Sequence, residues 1–131
     1  MMHGKYILAI DGGSQSTKVS IFDLHGRVHA QAIVNLQPLV HYADGKVEHP
    51  HDDLWDSLVS ACKNAISRFD GAASDIAGIG LCTIRCCRAV LRADGSLADP
   101  VMSWMDARLG TPYKDLNKDV IYVTTSSGYI S

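Results

Sequence analysis

The sequence lacks an excess of basic charge, a hydrophobic run of membrane-spanning length and an export signal. Lys and Arg number 12 against 14 Asp and Glu, so the formal net charge is −2. This balance argues against a nucleic-acid partner, because phosphate backbones require a basic face. No apolar stretch approaches the length that crosses a bilayer, and residues 1–5 lead directly into a strand-like segment. The sequence therefore predicts a cytoplasmic protein with neither nucleic acid nor a membrane as its partner.

Cysteine is also sparse, and its spacing fits no metal site. The four cysteines are Cys62, Cys82, Cys86 and Cys87. In a chain without an export signal, free thiols are favoured over a disulfide framework. Zinc sites commonly combine one closely spaced cysteine pair with a second pair, which this sequence does not offer. The pair His49 and His51, beside Pro50, is typical of a solvated loop. The sequence predicts no metal site built from cysteine or histidine.

The order of hydrophobic patterns predicts one α/β domain in the 131 residues. Short apolar or alternating segments open the chain, which predicts an antiparallel meander of strands at residues 6–11, 17–23 and 28–36. Residues 37–50 carry prolines and an Asp-Gly pair and predict a loop. Further apolar runs predict strands at residues 76–83 and 87–92, the second leading to a turn at Asp94-Gly95.

One long amphipathic helix is predicted over residues 52–69. Asp52 and Asp53 suit its start, and Gly71 suits its stop. Apolar residues at steps of one, three and four predict a single buried stripe: Leu54, Trp55, Leu58, Val59, Cys62, Ala65, Ile66 and Phe69. The chain ends at residues 128–131 without a closing turn or tail, so we expect a fragment of a longer protein.

The segment between the first two predicted strands carries the groups that a nucleoside triphosphate requires. Its glycines permit a sharp turn and a close backbone approach, its hydroxyls and lysine supply donors, and its aspartate suits a hydrated Mg²⁺. A Walker loop or a Rossmann fingerprint would lead into a helix, whereas residues 19–23 predict a strand. The segment is therefore predicted to be a phosphate-binding hairpin, with a plain hairpin as the alternative. Its residues are Asp11, Gly12, Gly13, Ser14, Gln15, Ser16, Thr17 and Lys18.

Three separated motifs resemble a known family. The pattern Asp-x-Gly-Ser-x-x-x-Lys at residues 11–18 resembles the phosphate motif of the actin-like ATPase superfamily. Residues 78–81, followed by residues 100–108 with Trp-x-Asp-x-Arg, resemble the FGGY carbohydrate kinases. Residues 47–50, ahead of Trp55, resemble the stretch before the first long helix of that family. The resemblance covers nearly the whole chain.

The resemblance implies an α/β fold of the RNase H-like (actin-like ATPase) half-domain type. Its mixed sheet would open with the three-stranded antiparallel meander and be flanked by helices. Residues 1–131 would form the N-terminal part of the first kinase domain, with the second lobe outside this chain. The implied activity is transfer of the γ-phosphoryl group of ATP to a sugar or polyol hydroxyl, with Mg²⁺ held by Asp11 through water. The catalytic base would lie in a later segment, so this fragment alone is expected to be inactive.

The resemblance also implies a substrate site. Trp104 can lie against the C–H face of a polyol, Asp106 can accept hydrogen bonds from hydroxyls, and Arg108 can donate in a fork. The alternatives are a core role for Trp104 and a structural ion pair between Arg108 and Asp106. In either case Asp106 is not expected to be the catalytic base.

Residues 83–87 depart from the two best-known specificities of the family. They lie where xylulose kinases show Gln-Met-His and glycerol kinases show Gln-Arg-Glu. Arg85 matches the arginine of the glycerol-kinase pattern, while Ile84 and Cys86 match neither pattern. We therefore predict that Arg85 and Cys86 contact a sugar or polyol outside those two specificities. The alternative is a strand start whose arginines face solvent.

Two other functions stay open at this point. One is a non-kinase ATPase of the actin-like superfamily, and the other is a non-catalytic module of the same fold. The expected partners are a sugar or polyol substrate and, as an open alternative, a second copy of the chain in a homodimer. The Trp-x-Asp-x-Arg motif favours the kinase.

Overall fold

A computed structural model describes residues 4–114, 119–120 and 122–130. Residues 1–3 and Ser131 lie outside the described residues. The expectations about the two chain ends partly rest on these residues. The chain divides into two compact units. Unit 1 comprises the described residues up to Leu36 together with Leu54–Thr83, and unit 2 comprises Gln37–Asp53 and the described residues from Ile84 onward.

The described part of the chain contains eight strands and two α-helices. Two short 3₁₀ helices also occur, at Ala73–Asp75 and Ala107–Gly110. In chain order the elements are β1 (Tyr6–Gly12), β2 (Ser16–Asp23), β3 (Val28–Asn35), β4 (Val40–His41), β5 (Val47–Glu48), α1 (Asp53–Ser67), β6 (Ile76–Thr83), β7 (Ala89–Leu91), β8 (Tyr122–Thr124) and α2 (Ser126–Ile130). No helix in the described residues is long and apolar enough to cross a membrane.

Unit 1 is built on a mixed four-stranded sheet with the strand order β3-β2-β1-β6. The first three strands pair antiparallel, and β6 pairs parallel to β1. This confirms the predicted meander and the mixed sheet. The β2–β3 turn is closed by Gly26, whose positive φ of 82° suits glycine and whose N–H donates to the Asp23 carbonyl at 3.1 Å. Alternation along β1 and β2 assigns even-numbered residues of β1 and odd-numbered residues of β2 to the buried face.

Helix α1 contributes the other half of the unit 1 core. Its buried stripe is narrower than predicted, since Trp55 and Ile66 are 44% and 41% exposed. The helix begins one residue later than predicted and ends at Ser67, ahead of the predicted stop at Gly71. Apolar residues from both elements form the core: Leu8, Ile10, Val19, Ile21, Ala30 and Ala32 from the sheet, and Leu54, Leu58, Ala61 and Ala65 from the helix.

Unit 2 is organised around the extended segment 101–103. On one side the N–H of His49 donates to the Val101 carbonyl and the N–H of Ser103 donates to the Val47 carbonyl, both at 2.9 Å. On the other side Arg88 and Met102 exchange backbone hydrogen bonds of 3.1 and 2.9 Å. The segment thereby links β5 to the residues before β7, although they are far apart in sequence.

Two small hairpins complete unit 2. Strands β4 and β5 pair antiparallel within the stretch that was predicted to be a loop, so that prediction was wrong at residues 40–41 and 47–48. Gly45, with φ of 85°, closes this hairpin. Strand β7 pairs with β8, and the predicted Asp94-Gly95 turn follows β7, with the Gly95 N–H donating to the Arg92 carbonyl at 3.0 Å. The β7 strand is shorter than the predicted 87–92.

His49 is the least expected member of the unit 2 core. The residue is 1% exposed, and neither ring nitrogen has a hydrogen-bond partner in the described part of the chain. Burial lowers the pKa of His49, and the negative charge of Asp53 opposes that change. Because a buried imidazolium without an acceptor is costly, the folded protein favours the neutral ring.

We expect the stability of the full-length protein to decrease as the pH falls below about 6.5 because of His49. Its ordinary pKa is 6.5 and its folded-state pKa is lower, so the unfolded chain binds the proton first. The slope is at most about 1.4 kcal/mol per pH unit for one group. Melting temperatures measured from pH 7 to pH 5 should show this decrease, and His49→Leu should flatten it. An equal decrease in His49→Leu and in the exposed-site control His41→Leu would contradict the assignment.

Candidate functional site

The predicted phosphate segment forms the tip of the β1–β2 hairpin. Residues 13–15 connect the strands, which confirms that a strand rather than a helix follows the loop. The N–H of Gly13 donates to the Ser16 carbonyl at 2.9 Å, and the N–H of Leu36 donates to the Gln15 carbonyl at 2.8 Å. A Cβ at position 13 would lie 3.1 Å from the Ser16 oxygen, so a larger residue there would crowd that carbonyl group. The tip is held in place from inside its own unit.

Asp11 and Lys18 are cross-strand partners on the face of the sheet opposite the core. They pair in the β1–β2 register, and both are exposed. With Ser20, Gly80 and other residues of the same face they line a pocket of about 600 Å³. A carboxylate and an ammonium group therefore lie on the same face at the turn end of the hairpin.

The hairpin tip offers donors that the protein itself does not use. Within the described residues, the backbone N–H groups of Ser14 and Gln15 have no acceptor, and the side chains of Asp11, Lys18 and Ser14 form no hydrogen bond or ion pair. Free backbone N–H groups and a lysine fit the phosphates of a nucleotide, and one exposed carboxylate fits a Mg²⁺ that keeps several waters. The residues present therefore fit Mg-nucleotide, as predicted from the sequence.

Two residues of the predicted segment face the core instead. Gly12 is buried, and the Thr17 hydroxyl lies 2.7 Å from the Ser57 hydroxyl of α1 with the residue only 2% exposed. The predicted role of Thr17 as a hydroxyl donor to phosphate stays a prediction, and in the structure its hydroxyl is engaged with Ser57. Thr17 has odd parity on β2, so its side chain points to the helix-covered face. This contact holds the start of β2 against α1.

In unit 2, Cys86 and Trp104 lie in one pocket of about 570 Å³. Arg88, Leu109 and Thr124 are among the other residues that line it. The indole of Trp104 is 52% exposed, so it is not a core residue of unit 2. The backbone N–H of Trp104 donates to the Cys87 thiol, whose pKa is raised mainly by burial. The structure thus brings together two of the predicted substrate residues, with Arg85 directly before Cys86.

Beside that pocket the buried Asp106 forms an ion pair with Arg108, whose side chain is partly exposed. The Asp106 side chain is 0% exposed, and both of its oxygens are fully engaged. Oδ2 accepts from the Val47 N–H at 2.8 Å and from Arg108 Nη2 at 2.7 Å; Oδ1 accepts from the Arg108 N–H at 2.8 Å and from Arg108 Nε at 3.0 Å. Arg108 Nη2 also donates to Glu48 Oε2 at 2.8 Å. This geometry favours the alternative role, in which Asp106 pairs with Arg108 and fixes the loop that carries Trp104.

The ion pair shifts the acidity of its members. The Arg108 guanidinium beside Asp106 lowers the pKa of that carboxyl to about 2, although burial alone would raise it. Asp106 in turn raises the pKa of Arg108. Glu48 accepts a hydrogen bond from the Tyr42 phenol, which raises the pKa of Tyr42. Asp106 and Arg108 therefore stay ionised at neutral pH.

Sequence reasoning missed two participants. Glu48 completes the ion cluster, and Arg88 lines the pocket that contains Cys86 and Trp104. The sequence signal for Glu48 was its place in the stretch at residues 47–50 that resembles the family. The phosphate hairpin lies in unit 1, and the predicted substrate residues lie in unit 2.

Comparison with known proteins gives one consistent result. The sequence model of the FGGY family of carbohydrate kinases, N-terminal domain, matches residues 6–128. The chain is 53% identical over 131 residues to the uncharacterized sugar kinase YgcE of Escherichia coli, covering 99% of this chain and 26% of the relative. It is 32% identical over 133 residues to the glycerol kinase of Alteromonas mediterranea, covering 97% of this chain and 26% of the relative.

The structure shows the same likeness. The xylulose kinase of Rhodospirillum rubrum superposes with a TM-score of 0.68 at 21% identity, over 79% of this chain and 21% of that one. At this level of identity the match shows a common fold, and it confirms the predicted fold class. The chain spans 26% of the length of the curated relatives it matches.

Proposed function

The chain belongs to the FGGY family of carbohydrate kinases, and on this premise we propose that the protein transfers the γ-phosphoryl group of ATP to a hydroxyl of a sugar or polyol. In this proposal the chain supplies the N-terminal part of the first kinase domain. The observation that carries the proposal is the position of Asp11 opposite Lys18 in the strand register, beside a hairpin tip at which the N–H groups of Ser14 and Gln15 have no acceptor among the described residues. This is the set of groups that phosphoryl transfer requires near the phosphates.

Each residue of the hairpin has a distinct role in the proposal. Mg²⁺, when bound, neutralises charge on the phosphates. Asp11 would hold that ion, while the backbone N–H groups of Ser14 and Gln15 would bind phosphate oxygens. Lys18 adds a compact positive charge on the same face of the sheet. Gly12, Gly13, Ser16 and Thr17 shape the hairpin and orient these groups.

The substrate side of the proposal uses unit 2. Trp104 presents an exposed indole that suits the C–H face of a sugar, Cys86 lines the same pocket, and Arg85 directly precedes Cys86 in the sequence. Asp106 and Arg108 act as positioning residues, because they bond each other and Arg108 also donates to Glu48. A general base must lie within hydrogen-bond reach of the attacking hydroxyl, and we assign none in this chain.

The direct test is ATP consumption by the full-length protein with and without polyols. We expect ADP release to rise only when a phosphorylatable sugar or polyol is added, with a phosphate ester as the second product. Steady hydrolysis of ATP that no sugar or polyol changes would support a non-kinase ATPase instead.

We expect Lys18→Ala to reduce kcat/KM of the full-length kinase by roughly ten- to a hundred-fold. Loss of one hydrogen bond from a charged group costs about 1.5–3 kcal/mol, and the N–H donors of Ser14 and Gln15 remain. Lys18 is exposed and has no partner in the described part of the chain, so the melting temperature should not change. Lys63→Ala, at an exposed position of α1, is the matched control. Activity equal to that of the control would exclude Lys18 from the phosphate site.

A further inference from the structure

The pocket that Cys86 and Trp104 line includes part of a bend at residues 85–87, whose backbone N–H groups bond no described residue. In the part of the chain that the structure describes, the N–H groups of Arg85, Cys86 and Cys87 have no acceptor, whereas the N–H of Arg88 bonds the Met102 carbonyl at 3.1 Å. Cys86 has φ of 65°, a left-handed conformation that is unusual for a residue other than glycine. Successive N–H groups at such turns form concavities that bind anions. The bend is therefore a backbone donor site.

Two arginines flank this bend. Arg85 is exposed, and its side chain forms no hydrogen bond or ion pair with any described residue. Arg88 lines the pocket and donates to the carbonyls of Thr111 at 2.9 Å and Arg108 at 3.5 Å. These partners are neutral, so neither guanidinium is paired with a carboxylate in the described residues.

Among the described residues that line this pocket, none carries a carboxylate that could balance these donors. The residues that line it are Cys86, Cys87, Arg88, Trp104, Leu109, Val123, Thr124 and Thr125. The carboxylate of Asp106 is withdrawn from solvent and bonded to Arg108 and Val47. A neutral polyol needs strong acceptors for its hydroxyl hydrogens as well as donors, whereas an anion needs donors alone. The side chains on this wall therefore match an anionic group.

We propose that the substrate is a sugar acid, whose carboxylate binds the N–H groups of residues 85–87 together with the guanidinium of Arg85. This inference rests on the proposed kinase function and names the substrate class of the same site. A planar carboxylate can accept paired hydrogen bonds from a guanidinium fork. The hydroxylated carbon chain would then lie against Trp104, and the pocket volume of about 570 Å³ is ample for a hexonate.

The test compares matched substrates on the full-length protein. Pentonates and hexonates are assayed for phosphorylation against the pentitols and hexitols of the same configuration, which differ only in the terminal carboxylate. Sugar monophosphates form a third arm, because a phosphate group shares the same recognition chemistry. We expect aldonates to exceed their matched alditols by roughly ten- to a hundred-fold in kcat/KM. A preference for alditols or for sugar monophosphates would overturn the proposal.

Two variants test whether Arg85 causes the preference for the aldonate. Arg85→Met should lower kcat/KM for the aldonate by roughly ten- to a hundred-fold more than kcat/KM for the matched alditol, and so remove the preference. Arg27→Met, at an exposed arginine of unit 1, should retain the preference. An aldonate preference that survives in Arg85→Met would overturn the proposed site.

Binding separates this proposal from the kinase proposal. If no compound is phosphorylated, the proposed function fails, and the change in melting temperature on adding each compound still tests the carboxylate site. Stabilisation by aldonates alone, lost in Arg85→Met, would support the site. No stabilisation by any aldonate would overturn it.

Discussion

Replacing Asp11 with alanine is expected to reduce Mg-ATP turnover by the full-length protein roughly a thousand-fold or more. The carboxylate is the single acidic side chain that lines the described pocket at the phosphate hairpin. A metal ion at a phosphoryl group supplies several kcal/mol of charge stabilisation, and each 1.36 kcal/mol is about ten-fold in rate. Asp11→Asn should be almost as impaired, because the amide keeps the size and loses the charge.

The same variant should fold normally. Asp11 is exposed and forms no hydrogen bond or ion pair in the described residues, so little native interaction is lost. Asp70→Ala, at another exposed aspartate of unit 1, is the matched control and should keep full activity. Turnover in Asp11→Ala equal to that of Asp70→Ala would show that the carboxylate does not hold the metal. A large loss of melting temperature in Asp11→Ala would instead point to a structural role.

The elements of unit 1 were predictable because their sequence signals are local. Alternation along β2 and the glycines of the hairpin determine both the strand and the turn, and the structure confirms the strands within one residue. The buried stripe of α1 was predicted too wide. Trp55 and Ile66 follow the helical period, but the sheet covers only the arc centred on Leu58 and Ala61. Period alone does not give the width of the covering surface.

Unit 2 was less predictable because its contacts are long-range. Strands β4 and β5 have two residues each, too few for a period to be visible. The carboxylate of Asp106 accepts a hydrogen bond from the N–H of Val47, which is 59 positions away in the sequence. Arg108 donates to Glu48 at a separation of 60 positions. No spacing rule encodes such pairs. The motif therefore indicated that residues 104–108 matter, while their division into an exposed indole and an ion pair required the structure.

Replacing Asp106 with alanine is expected to destabilise the full-length protein by about 1.5–3 kcal/mol, the usual cost of losing hydrogen bonds to a charged group, because Arg108 is 32% exposed and keeps Glu48 as a partner. The variant would leave Arg108 without its main partner and the N–H of Val47 without an acceptor. Sugar and ATP affinity should decrease together, at temperatures where the variant begins to unfold. Asp99→Ala, at an exposed aspartate of unit 2, should leave the melting temperature unchanged.

The stability of the protein at acid pH provides an independent test of the ion pair between Asp106 and Arg108. The pKa of Asp106 is lowered from 3.8 to about 2 in the folded protein, so the unfolded chain binds the proton first as the pH falls. The contribution is complete above about pH 4 and is lost progressively towards pH 2. Asp106→Asn should therefore be less stable than the parent at neutral pH and should converge with it near pH 2. If instead Asp106→Ala keeps its melting temperature and its ATP affinity while the sugar KM rises roughly ten- to a hundred-fold, the carboxylate binds substrate directly and the positioning role is wrong.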